Sequence, residues 1–144
     1  MGQGAAGRGD GAGATSADMR YLLDTTFLID HLRGDPAAVR RFARMVEDGD
    51  EPLVNDVVVC ELATGARREP DPDLLALLRP IEFIQPGPDA ALLAAKWRRE
   101  ARAKGWTLSL ADALIAAAAH SEDAVILTRN VRDLSLAPIR VEAY

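Results

Sequence analysis

Apolar residues in this chain fall into short continuous runs separated by longer stretches with helical spacing. Tyr21, Leu22 and Leu23 form a run that ends in Asp24. Leu53 and Val54 form a second run, residues 81–84 a third and residues 124–128 a fourth. Runs of this length bounded by turn residues predict buried strands, and residues 139–141 predict a last, edge strand. Between the runs lie helix signals. Thr25 and Thr26 offer caps for a short helix over 27–32 that stops at Gly34, and Asp35 with Pro36 starts a helix to about Asp48. Asn55 or Asp56 caps a helix holding Val58, Cys60, Glu61 and Leu62 that ends by Gly65. Asp71, Pro72 and Asp73 start another, through Leu78.

Pro88 opens a long helix that Gly105 ends. Ala90, Leu93, Ala94, Trp97 and Ala101 line one face of it, and Lys96, Arg98, Arg99, Arg102 and Lys104 fill much of the rest. The segment SLADALIAAAAH at 109–120 reads as a buried helix with Ser109 and Asp112 in its first turn. Strands alternating with helices predict an α/β fold, a mainly parallel sheet covered on both faces.

The first eighteen residues are rich in Gly and Ala and hold no large apolar side chain. Such a stretch cannot offset its own ordering entropy, so residues 1–18 are expected to be a disordered tail and 19–144 one domain. Met19 opens the structured part and is a candidate for the true start. Ala6 stands where a myristoylation signal wants Ser or Thr.

The single Cys60 excludes an internal disulfide framework, which fits a reducing cytoplasm, and with only two His it argues against structural zinc. No apolar run is long enough to span a bilayer. A net charge of −5 and a pI near 5.0 argue against a simple basic-patch nucleic-acid binder. A nucleic-acid enzyme remains compatible, because acids that bind divalent cations reverse the local field.

Four acids lie near strand ends: Asp24 after the first run, Glu61 after the second, Asp112 in the helix before the fourth, and Asp133 in TRNVRD after it. Ligands of open α/β sheets bind beyond the carboxyl ends of strands, and three of these acids share that end if runs one, two and four are neighbours. Each acid alone has a structural reading. Asp24 could bond the backbone of its turn, Glu61 could be a solvated helix residue, and Asp133 could close its loop. Asp112 could complete a capping box with Ser109, its charge on the helix dipole worth about 0.3–1 kcal/mol. Together they are harder to explain structurally: like charges about 4 Å apart repel by roughly 4 kcal/mol at an effective dielectric of 20. Such a cluster needs protons or metal ions, and all-oxygen donors suit Mg²⁺ or Mn²⁺. Metals held this way favour phosphodiester hydrolysis.

From about Arg20 to Tyr144 the chain resembles the PIN-domain ribonucleases, specifically the VapC-type toxins of toxin–antitoxin pairs. LLDTTFLIDHLRG at 22–34, CELATGA around Glu61, SLADALIAAAA at 109–119 and LTRNVRDL at 127–134 carry the resemblance. It implies a three-layer α/β/α fold with parallel strand order 3-2-1-4-5. It implies metal-binding, catalytic roles for Asp24, Glu61, Asp112 and, more variably, Asp133, with Thr128 and Asn130 ordering the site and Thr25 beside it. It further implies a Mg²⁺- or Mn²⁺-dependent endoribonuclease that cleaves single-stranded or loop RNA and leaves 5′-phosphate and 3′-hydroxyl ends, a VapB-type antitoxin partner and a homodimer. A solitary nuclease and a catalytically silent PIN protein-binding module are the alternatives within the family. Leu134 replaces a common Phe, and Asn55 a common Ser or Thr.

Outside that family, a dehalogenase-like phosphatase needs a second Asp where Thr26 stands, and a receiver domain lacks its paired acid and Lys. The cationic face of the 89–104 helix reads either as RNA backbone contacts or as a solvated surface. Trp106 reads as partly buried core, with RNA stacking as the alternative, and Cys60 as small buried packing. His31 and His120, near helix ends, read as capping or solvent-exposed.

Overall fold

The computed structural model describes residues 19–144; the expected tail at 1–18 lies outside the described residues. In chain order the elements are β1 (Arg20–Leu23), α1 (Thr25–Leu32), α2 (Pro36–Asp48), β2 (Glu51–Val54), α3 (Asp56–Thr64), α4 (Pro72–Leu78), β3 (Glu82–Phe83), α5 (Pro88–Ala103), α6 (Leu110–Ser121), β4 (Val125–Leu127), α7 (Val131–Leu134) and β5 (Val141–Glu142). The strands form one five-stranded sheet in the order β3-β2-β1-β4-β5, and every pairing is parallel. A parallel pair needs a crossover, and helices fill each one.

Strands buried on both faces must be apolar throughout. Leu22, Leu23, Leu53, Val54, Val125, Ile126 and Leu127 are almost fully inaccessible to solvent. The Ala-rich length of α6 packs against α5, β1 and β4, its Ala116, Ala117, Ala118 and Ala119 all buried. Small side chains there allow close approach of helix to sheet, which fixes the aim of the first turn of α6.

Several helix starts follow the expected capping chemistry. Asp35, Asn55, Asp71 and Ser109 each accept a backbone N–H of the following turn through the side chain. The start of α1 departs from it: helix begins at Thr25, Asp24 occupies the cap position, and no side chain caps it. Thr25 and Thr26 are thus not caps; their hydroxyls turn to other carboxylates, described below. The outer strands are shorter than expected, with β3 only Glu82–Phe83 and β5 displaced to Val141–Glu142. Ile81 and Ile84, both buried, flank this short β3 strand, and the Ile84 N–H still donates to the Val54 carbonyl at 2.8 Å.

Two further expectations are corrected. Cys60 is exposed, because Val58 and Leu62 face the core from α3 and Cys60 lies midway between them, on the other side of the helix. Trp106 is 52% exposed, whereas Trp97 is 5% exposed and supplies the buried ring. His120 meets the Trp97 ring edge-on at 5.7 Å. His31 is half-buried against Phe42, so neither capping nor full exposure describes it.

Candidate active site

β1 and β4 are adjacent and in register at Leu23 and Leu127. The next residue of each strand is therefore brought side by side at the carboxyl edge of the sheet: Asp24 and Thr128. Asp24 is only 3% exposed and Thr128 is fully buried. The Thr128 hydroxyl donates to Asp24 Oδ2 at 2.7 Å, and that of Thr26 donates to the same oxygen at 2.9 Å. Each hydroxyl in turn accepts a backbone N–H, Thr26 from Arg129 at 3.0 Å and Thr128 from Asn130 at 2.8 Å. A hydroxyl has one proton to give, so these backbone bonds orient both protons onto Oδ2. Asp24 Oδ1 has no hydrogen bond among the described residues and keeps its lone pairs available.

Glu61 stands on the exposed side of α3, where the Thr25 hydroxyl holds its Oε1 at 2.6 Å. Thr25 thus ties the acid after β2 to the acid after β1. Asp112 sits in the first turn of α6, its N–H bonded to Ser109 Oγ at 3.1 Å. Its carboxyl titrates above the ordinary range. Burial is the main cause, opposed by a hydrogen bond from Ser109, and the charges of Asp24, Asp133 and Glu61 all push the same way as burial. Those charges act on Asp112 from three separate elements. Asp133 is exposed on α7.

Among the described residues none of the four acids has an ion-pair partner. Arg129, the nearest cation in sequence to Thr128, is engaged elsewhere: its Nη1 bridges both oxygens of Asp30, at 2.7 and 3.0 Å. The Tyr144 hydroxyl donates its proton to Asp30 as well, and its oxygen lies 3.3 Å from the Thr26 carbonyl. This Asp30–Arg129–Tyr144 group braces the segments that carry Thr26 and Thr128. Sequence reasoning missed it, along with the part played by Thr26. The signal for Thr26 was its place two positions after a buried strand-end acid. Asp30 and Tyr144 gave none, since 114 positions separate them. Asn130 contributes through its backbone N–H, and its side chain makes no cap bond.

Among the described residues, no three His, Cys, Asp or Glu side chains stand together closely enough to cage a metal ion. A Mg²⁺ site does not require that, since the ion keeps several waters and is typically bound through one or two carboxylates.

Comparison with known proteins decides the lineage. The PIN domain family profile matches residues 21–137. The chain belongs to the PIN-domain family. Within it the chain is of the VapC type: it is 34% identical over 117 residues to Ribonuclease VapC19 of Mycobacterium tuberculosis, covering 81% of this chain and 94% of that protein. Solved structures agree in fold. VapBC2 from Rickettsia felis, bound to a DNA fragment from their promoter, superposes with a TM-score of 0.78 at 20% identity, over 88% of this chain and 99% of that one. The DNA-bound VapBC of Salmonella typhimurium gives a TM-score of 0.71 at 26% identity, over 87% and 98%. VapC20 of Mycobacterium tuberculosis, a sarcin-ricin loop cleaving toxin, gives 0.63 at 18% identity, over 83% and 95%. As a PIN domain, the chain has the expected strand order and the expected adjacency of strands one, two and four.

Proposed function

We propose that this PIN domain is the endoribonuclease toxin of a VapBC-type pair and hydrolyses RNA phosphodiester bonds at Asp24, Glu61, Asp112 and Asp133. One observation carries the assignment of the site: Asp24, Glu61 and Asp133 act on Asp112 from three separate elements, and among the described residues no cation pairs with any of the four. Ordinary folds do not gather unpaired carboxylates in this way. The relationship to Ribonuclease VapC19 supports the reaction class.

The donor set fits a hard divalent cation, Mg²⁺ or Mn²⁺, held by these carboxylates directly or through retained water. When bound, such an ion lowers the pKa of water and stabilises the oxygens of an in-line displacement. The chain's own residues prepare the site. Thr26 and Thr128 lock the Asp24 carboxylate with Oδ1 left open, and Thr25 holds Glu61. Ser109 caps the first turn of α6, which carries Asp112. The four-acid set also disfavours a silent protein-binding module, which would have no reason to retain the repulsion.

A VapB-type antitoxin and a second copy of the chain complete the proposed assembly. No helix among the described residues is long and apolar enough to cross a membrane, and RNA as substrate places the reaction in the cytoplasm. The assignment is tested by incubating the full chain with a structured RNA in Mg²⁺, in Mn²⁺ and in EDTA. Cleavage that needs the ion and leaves 5′-phosphate ends supports it, and equal cleavage in EDTA overturns it.

A further inference from the structure

The helix α5 ends in a motif that fixes the next residue with unusual definition. Gly105 adopts a left-handed φ of +81°. Its N–H bonds the Arg102 carbonyl at 2.9 Å, and the Trp106 N–H reaches back to the Ala101 carbonyl at 2.9 Å. This is the paired hydrogen bonding of a Schellman cap. The segment is held a second time where Arg98 Nε donates to the Leu108 carbonyl at 3.0 Å. In most such caps the residue after the glycine buries its apolar side chain against the helix. Here that residue is Trp106, and half of it faces solvent.

Two cavities share the Trp106 side chain. One, of about 280 Å³, also touches Lys104 and Ser135, and the Lys104 ammonium lies 5.6 Å from the centre of the indole ring. The other, of about 500 Å³, is bounded by Gly105, Thr107, Arg132, Leu136 and Asp133. The second cavity therefore runs from the indole to one of the four acids of the proposed centre, past a guanidinium that forms no ion pair among the described residues. A rigid, half-exposed aromatic ring flanked by two cations is the composition of a single-stranded nucleic-acid platform: bases stack on the ring and the cations take phosphates.

We propose that Trp106 is a nucleotide-binding platform of this site, stacking an unpaired RNA base next to the scissile phosphate while Arg132 and Lys104 contact the flanking backbone. The inference rests on the ribonuclease reading and adds where the substrate strand lies.

The test uses the full chain with Asp112→Asn, in Mg²⁺, titrated with a single-stranded RNA of about twelve nucleotides. Trp106 emission is expected to be quenched on saturation; the same titration with Trp106→Ala, in which only the buried Trp97 emits, shows no quench and binding about 10-fold weaker. On the otherwise wild-type chain, Trp106→Ala raises KM for RNA about 10-fold and leaves kcat within twofold, and Trp106→Phe recovers most of the loss. Absence of quenching, or an unchanged KM in Trp106→Ala, overturns the platform. So does a Trp106 emission that shifts to the blue with protein concentration alone, which means a second copy covers the ring. If RNA quenches Trp106 but the wild-type chain cleaves nothing, the platform stands and the ribonuclease reading falls. If cleavage is robust and Trp106→Ala changes nothing, only the platform falls.

Discussion

The Thr128 hydroxyl donates to Asp24 Oδ2 across 2.7 Å of space and 104 positions of sequence. The bond exists because β1 and β4 pair in register one residue earlier. A buried carboxylate loses its contact with water, so its orientation and charge depend on the donors that the fold supplies. Thr26 and Thr128 are those donors, and their effect should be visible separately from the stability of the sheet.

Thr128→Val keeps the shape of the side chain and removes the donor. RNA cleavage is expected to fall about 10- to 100-fold, the size of effect seen when partners that orient ligating groups are lost. Asp24 retains Thr26 but the Asn130 N–H loses its acceptor, so unfolding free energy should drop by about 2–3 kcal/mol. Cleavage rates and urea unfolding of the same preparation check both numbers, and Thr128→Ser should restore most of the rate.

Asp112 is expected to destabilise the metal-free protein. A carboxyl whose folded pKa is raised binds protons more readily in the folded state, so the charged form costs stability at every pH above that pKa and the cost vanishes below the unfolded value. Asp112→Asn should therefore raise the melting temperature by a few degrees in EDTA at neutral pH, with the difference closing as the pH falls into the ordinary carboxylate range. Added Mg²⁺ should stabilise the wild type by mass action and the variant far less. Melting curves in EDTA and in Mg²⁺ at two pH values provide the comparison.

His31 gives a pH dependence of its own. Burial lowers its pKa below the ordinary 6.5, and its Nδ1 is buried with no hydrogen-bond partner among the described residues. The unfolded chain takes up the proton first, so this contribution is intact above 6.5 and is lost as the pH falls through that value toward the folded pKa. His31→Leu should remove that slope. The stability gap between wild type and variant, followed by denaturant titration from pH 7.5 to 5.5, should move in favour of the variant as the pH falls.

Gly105 holds a backbone conformation that costs other residues roughly 1–2 kcal/mol. An added Cβ would meet nothing within 4 Å, so Gly105→Ala should destabilise by about 1 kcal/mol through the backbone alone. Thermal unfolding measures it.

The parts of this fold legible in the sequence were those governed by local chemistry. Cap residues such as Asn55 and Ser109 satisfy helix N–H groups within three positions, and the buried runs at β1, β2 and β4 must be apolar whatever their neighbours. The four candidate acids stood out by their places near predicted strand ends, but the strand order came through family resemblance, because no local rule says that β1 lies between β2 and β4. What stayed hidden depends on where a side chain points once distant segments meet. Trp106 is apolar enough for a core, yet it stands half exposed just beyond the cap of α5. The Asp30–Arg129–Tyr144 group joins residues whose types alone suggest contact with solvent. Thr26 looked like a helix cap because the competing acceptor, Asp24, is buried only when β4 closes over it.

The central claim, that the four acids form one ion-dependent hydrolytic centre, is tested most directly by single-turnover cleavage of one structured RNA in Mg²⁺ by the wild type and by Asp112→Asn. The rate is expected to be at least about 100-fold lower in the variant, with the variant folded and, without metal, more stable than the wild type. Equal rates for the two proteins would contradict it.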